Sequence, residues 1–305
     1  MAFTTVRVTV GRVLLVGGVL ILLFIPYLLW GTGLQTARSQ DALRRQFAST
    51  QHALGNPVTP RHLTPEAGAP LQVAPPLPDP PLGSAVGMIV IPKIGLSMVV
   101  VEGTGAAQLS AGPGHYPGTP LPGEAGNVAI AGHRTTYLHP FYNLDQLVPG
   151  DAIVLDTPQG LFLYHVLTST AVSPTDVAVV APTPTPTLTL TTCNPRYQAT
   201  QRLVVHAQLV GSALAGQVAS DPARALAAAV IRQQSPVVAA EPNHDWLPAI
   251  LWGLGVAAVT VAAWRLAALT RGGRRALVLL VGLAAWVVLV FYFFGAVAPL
   301  LPASY

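Results

Sequence analysis

The sequence predicts a mainly β domain of short strands, held outside a bilayer by apolar helices. Three observations predict it. The 305 residues are 51% hydrophobic and only 9% charged, too apolar for an ordinary soluble chain. The excess sits in three blocks, residues 12–30, 246–264 and 276–298. Each is long enough to cross about 30 Å of hydrocarbon as a helix. Between the first two blocks, residues 87–210 read as short β-branched runs broken by turn residues, the spacing of a barrel or a sandwich.

Residues 1–34 are expected to form a cytoplasmic tail and a membrane anchor; a cleaved signal peptide is the alternative, but the apolar part is long for one. Residues 35–86 are expected to be an extracytoplasmic spacer. Its first part, to residue 54, is polar with scattered apolar positions and is able to extend the first helix; the rest is crowded with proline from Pro57 to Pro81. Proline removes backbone donors and fixes φ, which favours an extended chain. Within 87–210, strands are expected at 88–91, 98–102, 127–131, 187–192 and 202–210, with a hairpin of 152–155 and 161–170 around Thr157-Pro158-Gln159-Gly160. Short helices are expected at 105–110 and 141–147. Residues 211–245 are Ala-rich and read as a partly helical connector, and 246–305 as a transmembrane hairpin.

Basic residues orient the spans. Arg7 and Arg12 precede the first; Arg265, Arg271, Arg274 and Arg275 lie between the second and third. Both clusters belong inside, which puts the β domain and the C-terminus outside, in a multi-pass protein of the cell membrane. Arg38, Arg44 and Arg45 oppose this, but long domains translocate largely regardless of charge. The net charge of +4 comes mostly from these flanking arginines. No basic stripe with interleaved aromatics is present, which excludes nucleic acid as a partner and leaves the lipid bilayer as one.

Cys193 is the single cysteine. It cannot form an internal disulfide, and in an exported domain an unpaired thiol points to chemistry rather than stapling. It ends the run Thr189-Leu190-Thr191-Thr192-Cys193, with Arg202 nine residues later and His133 upstream in Ala131-Gly132-His133-Arg134. Attack on a peptide carbonyl needs a thiolate, which an imidazolium can stabilise; the same imidazole can protonate a leaving amine. An arginine supplies a forked donor set for the oxyanion. Arg196 is the rival to Arg202 and reads as a loop arginine. His115, His139, His165 and His206 lack tight ligand spacing, and Glu102 and Glu124 look isolated, so neither a metal site nor a cofactor is expected.

These three motifs, in this order over residues 87–210, resemble the sortases, the membrane-anchored cysteine transpeptidases of Gram-positive bacteria. The runs Gly114-His115-Tyr116-Pro117-Gly118-Thr119, Gly126-Asn127-Val128-Ala129-Ile130 and Gly132-His133-Arg134-Thr135-Thr136-Tyr137 are most similar to class E, of high-GC actinobacteria. The resemblance implies a closed eight-stranded barrel, with the cysteine and arginine strands adjacent and the histidine at the end of another strand nearby. It implies Cys193 as nucleophile, His133 as acid and base, Arg202 as oxyanion or peptide donor, and Tyr116, Thr191 and Thr192 as substrate-binding residues. It implies cleavage of an L-A-x-T-G or L-P-x-T-G sorting signal between Thr and Gly, a thioester on Cys193, and transfer of the surface protein to an amine of a peptidoglycan precursor. One alternative is a pilin-polymerising enzyme with a protein lysine as acceptor. The Asp-Pro-aromatic lid of that class has only a partial counterpart in Asp79-Pro80-Pro81, which lacks the aromatic. A non-catalytic, membrane-tethered peptide-binding barrel is the other alternative. The two C-terminal spans exceed the simplest class E layout.

Overall fold

The computed structural model describes residues 17–55, 71–214, 221–238 and 246–298. The expectations for the cytoplasmic tail with Arg7 and Arg12, for spacer residues 56–70, for connector residues 215–220 and 239–245 and for the last residues from 299 lie outside these. The chain divides into two compact units, residues 33–242 and residues 1–32 with 243–303.

In the first unit, eight strands close into a barrel: β1 (Ala85–Ile91), β2 (Leu96–Glu102), β3 (Gly114–His115), β4 (Asn127–Ala131), β5 (Ala152–Thr157), β6 (Gly160–Val172), β7 (Thr187–Asn194) and β8 (Gln201–Leu214). Their order around the barrel is β1-β2-β3-β4-β7-β8-β6-β5. The expected strands and the 157–160 hairpin are present, as is the short helix α3 (Ala106–Ala111). The core takes Ile89, Ile91, Val100, Val128, Ile130, Ile153, Leu155, Phe162, Tyr164, Leu188, Leu190 and Val205, all fully or almost fully buried. Alternation along β5 shows why: Ile153, Leu155 and Thr157 are buried while their neighbours are half-buried.

Barrel closure has a weak point, because β3 contributes only two residues. It pairs with β2 only at Val101 and Glu102, leaving the rest of that β2 edge unpaired. Buried backbone groups must find partners, and helix α2 (Thr32–Ala53) supplies them. Gln40 accepts from Val99 N at 2.8 Å and donates to Val99 O at 2.9 Å, and Arg44 donates to Ser97 O at 3.0 Å. Thr36, Gln40, Leu43, Phe47, Thr50 and Leu54 make a single buried stripe at helical spacing. Leu43 and Phe47 pack on Val99, Val101 and Ala111, each burial contributing roughly 1.5–3 kcal/mol.

The expected spacer is therefore corrected over its described part. Residues 33–55 are a helix and turn docked on the barrel, and the proline segment from residue 71 lies along it. Ala74 N donates to Gly123 O at 2.8 Å, Leu77 N to a Glu124 carboxylate oxygen at 2.8 Å, and Gln159 reaches Pro75 O at 2.6 Å. Proline keeps the segment extended, but its remaining backbone groups are held by the barrel. The connector is corrected likewise: β8 runs on to Leu214, and α4 (Asp221–Arg232) buries Ala227 and Ile231 in the barrel's core cluster.

In the second unit, α5 (Leu247–Leu269) and α6 (Gly273–Val297) are long and apolar enough to cross a membrane, and only 11% of each span's apolar window is buried. They form an antiparallel hairpin. Trp252 stacks on Tyr292 at 4.9 Å, and a Cβ on Gly282 would stand 2.7 Å from that of Ala263, so small residues let the helices approach closely. Among the described residues two helices meet the length of a span, not the expected three. The apolar helix α1 (Gly17–Pro26) is short of it. After Pro26, which has no N–H to give, the chain passes into a π-helical turn at Tyr27–Gly31.

Candidate active site

The site lies at the ends of β4, β7 and β8. Antiparallel pairing puts Cys193 directly opposite Arg202, and Arg202 Nη1 stands 3.7 Å from Cys193 Sγ. On the other side of β7, parallel pairing with β4 runs up to Ala131 opposite Thr191. It continues as Gly132 N donating to Thr191 O at 3.0 Å and Thr192 Oγ1 donating to Gly132 O at 2.7 Å. His133 is the next residue along, so the sheet brings its backbone to the same end as the thiol strand. Of the predicted trio, Cys193 and Arg202 are in contact, and the β4–β7 register brings His133 to the same end.

The substrate-binding expectations divide. The Tyr116 hydroxyl is 3.1 Å from Thr191 Oγ1, which ties Tyr116 to the cysteine strand two residues before the thiol. Thr192 is buried, and its hydroxyl donates to the Gly132 carbonyl, so it clamps β4 to β7. Arg196 turns away from the thiol. It donates to both Asp145 carboxylate oxygens at 2.9 and 3.0 Å and lies 4.4 Å over the Tyr142 ring.

Arg134 was not singled out by the sequence as a functional residue. Its side chain is buried, donates from Nη1 to Cys193 O at 3.1 Å and Asn194 Oδ1 at 2.6 Å, and pairs through Nη2 with Asp145 at 3.1 Å. It holds the end of β7 from behind, sharing Asp145 with Arg196. A charged residue directly after the histidine, in a chain with few charges, was the available signal. Glu102 also proves not to be isolated: its carboxylate lies 2.8 Å from His115 Nδ1, both groups fully buried. His115 Nε2 lies 3.0 Å from both Pro120 O and Thr119 Oγ1, and Thr119 donates to Tyr116 O at 2.8 Å. This buried pair thus closes the turn that carries Tyr116. Burial raises the Glu102 carboxyl; burial pulls His115 down, but the bond and charge of Glu102 outweigh it and raise the imidazole.

Electrostatics set the resting protonation. Burial pushes the Cys193 thiol up, with the charges of Arg202 and Arg134 pulling it back in part. Burial lowers His133 to about 4. Both shifts favour the neutral forms of the two groups. A neutral imidazole is able to take a thiol proton. An imidazolium so formed can protonate a leaving amine, and a guanidinium 3.7 Å from the sulfur can stabilise negative charge there.

A thiol and a guanidinium in contact, with a histidine at the end of the neighbouring strand, lie at one end of a closed β-barrel. Residues 89–210 match the family model described as Sortase domain, and this barrel domain belongs to that family of cysteine transpeptidases. Within it the chain is class E-like. It is 30% identical to sortase SrtE1 of Streptomyces coelicolor over 221 residues, 66% of this chain and 56% of the relative. It is 28% identical to SrtE2 of the same organism, covering 66% of this chain and 80% of the relative. Among solved structures, sortase E from Streptomyces avermitilis is 35% identical, with 47% of this chain and 98% of that one covered and a TM-score of 0.41. The chain thus spans little more than half the length of SrtE1.

Proposed function

We propose that this protein is a membrane-anchored sortase. It cleaves an L-A-x-T-G or L-P-x-T-G type sorting signal between Thr and Gly and transfers the surface protein to an amine of a peptidoglycan precursor. Cys193 attacks the Thr carbonyl while His133 takes its proton. The tetrahedral oxyanion collapses to a thioester as His133 protonates the leaving Gly amine. The acceptor amine then attacks the thioester carbonyl, His133 takes its proton, and the thiol is restored. Arg202 stabilises the negative charge at each step, and Tyr116 with Thr191 lines the approach of the peptide.

The observation that carries this reading is the Cys193–Arg202 pair across β7 and β8, 3.7 Å from guanidinium to sulfur. The barrel works on the outer face, where exported proteins and the acceptor meet. Three spans hold it there, the first from the block at residues 12–30 and the others α5 and α6, with Arg271, Arg274 and Arg275 inside. The full-length chain in detergent, given L-A-x-T-G and L-P-x-T-G peptides and an amine, should form the amine-linked product. Substantial turnover by Cys193→Ala would sink the assignment.

A further inference from the structure

The loop after His133 carries a run of three consecutive non-glycine residues in the left-handed region: Tyr137 (φ 54°), Leu138 (φ 60°) and His139 (φ 39°). Side chains avoid this region because Cβ crowds the neighbouring carbonyl. Isolated cases are found in turns, chiefly at Asn, Asp or His; a run of three that begins with Tyr and Leu is not such a case. Such strain persists only where the surroundings over-determine it, and it clusters at functional sites.

The surroundings here are explicit. Phe141 N donates to His133 O at 3.1 Å and closes the loop on the histidine itself. Phe141 is fully buried and lies against Gly132. His139 N donates to Thr136 O at 2.8 Å and Tyr142 N to His139 O at 3.0 Å, which fixes both sides of the run. Leu138 reaches the α2 backbone at Gly33, where an added Cβ would stand 3.1 Å from its Cδ2. The result of these constraints is one reversal of the chain, and it returns Tyr137 over the histidine. The two rings lie 4.9 Å apart at 33°.

We propose that Tyr137 is a positioning residue for His133: the left-handed run folds its ring onto the imidazole, fixing the plane in which His133 takes and returns a proton. The inference rests on the acid–base role of His133 given above. Burial lowers His133 and raises the Tyr137 hydroxyl, as expected of two rings that shield one another from water. An imidazole free to swing would meet the sulfur and the leaving amine in few of its orientations, and a misplacement of about 1 Å costs on the order of 100-fold in rate. The ring against the imidazole is what matters, so a phenyl ring serves and a smaller side chain does not.

The test uses the full-length chain in detergent, with signal peptide and amine, comparing wild type with His133→Ala, Tyr137→Ala and Tyr137→Phe. Tyr137→Ala should lower kcat on the order of 10- to 100-fold while KM stays within about twofold, and Tyr137→Phe should restore kcat to within about threefold. Thermal melts confirm that each variant is folded; if the alanine variant is not, Tyr137→Leu, which keeps bulk but no ring plane, carries the same expectation. Wild-type kcat in the ring-less variant overturns the proposal. So does a Phe variant as impaired as the alanine one, or a loss that falls wholly on KM, which would mean that the ring meets the peptide instead. Turnover by His133→Ala would refute the acid–base role itself, an outcome separate from these.

Discussion

Gly132→Ala tests how closely the barrel sets the distance between the histidine and the thiol. A Cβ at residue 132 would stand 2.6 Å from Phe141 Cδ2, 2.8 Å from Cε2 and 3.1 Å from Cγ. Carbon atoms rest at about 3.5–4.0 Å, so the overlap is about 1 Å. Phe141 is fully buried in the main core and has nowhere to move. Residue 132 is pinned as well, by its N–H to Thr191 and by Thr192 to its carbonyl. One side must give, and overpacking of this kind costs about 1–3 kcal/mol. For a unit of this size that lowers Tm by about 2–4 °C per kcal/mol, or roughly 2–12 °C in all. The end of β4 shifts with the methyl group and carries His133 with it, which should lower kcat on the order of 100-fold. Thermal melts and peptide turnover read the two effects, and Phe141→Leu in the same chain should recover part of both. A Gly132→Ala protein with wild-type Tm and kcat would refute the reasoning.

Arg202→Lys should lose on the order of 100-fold in turnover, because lysine keeps the charge but not the fork, and one oxyanion donor is worth about 3 kcal/mol. Arg196→Lys should change turnover little and stability by less than about 1 kcal/mol, since Arg196 pairs with half-exposed Asp145; the reverse ranking would mean that the other arginine serves the thiol. Acid should destabilise the fold through His133. Its folded value of about 4 lies below the ordinary 6.5, so its contribution is complete above pH 6.5 and is lost as pH falls through 4. At about 1.4 kcal/mol per unit the loss is about 3 kcal/mol, and His133→Asn should flatten that limb of the unfolding curve; an unchanged limb would contradict the assignment. In a Cys193→Ser background in whole cells, cysteines placed at 272 or 273 should resist an impermeant thiol reagent while one at the C-terminus reacts. The opposite pattern would invert the hairpin.

How far the sequence was legible depends on where each feature's information sits. Strands such as β4 and β7 announce themselves by β-branched runs, and Cys193, His133 and Arg202 by local motifs. Strand β3 is too short at two residues to leave a pattern. The docking of α2 was hidden because much of its buried stripe is polar, Thr36, Gln40 and Thr50 among it; Gln40 is buried to bond a strand edge some sixty residues away, which no periodicity records. The proline segment reads as extended, and is, but its partners at Gly123 and Glu124 are distant in sequence. At the site, Arg134 and Tyr137 matter through burial and through backbone angles forced by tertiary contacts. The resting protonation could not be read from residue types, since the same His–Cys pair is ionic or neutral according to its burial.

The most direct test of the central claim is to trap the covalent intermediate. The full-length chain is mixed with an L-A-x-T-G peptide without an added amine, quenched in acid and examined by intact-protein and peptide mass spectrometry. The prediction is a single acyl group on Cys193, equal in mass to the peptide through its Thr less one water, absent from Cys193→Ala and discharged when an amine is added. An adduct on another residue, or product formed at full rate by Cys193→Ala, would contradict it.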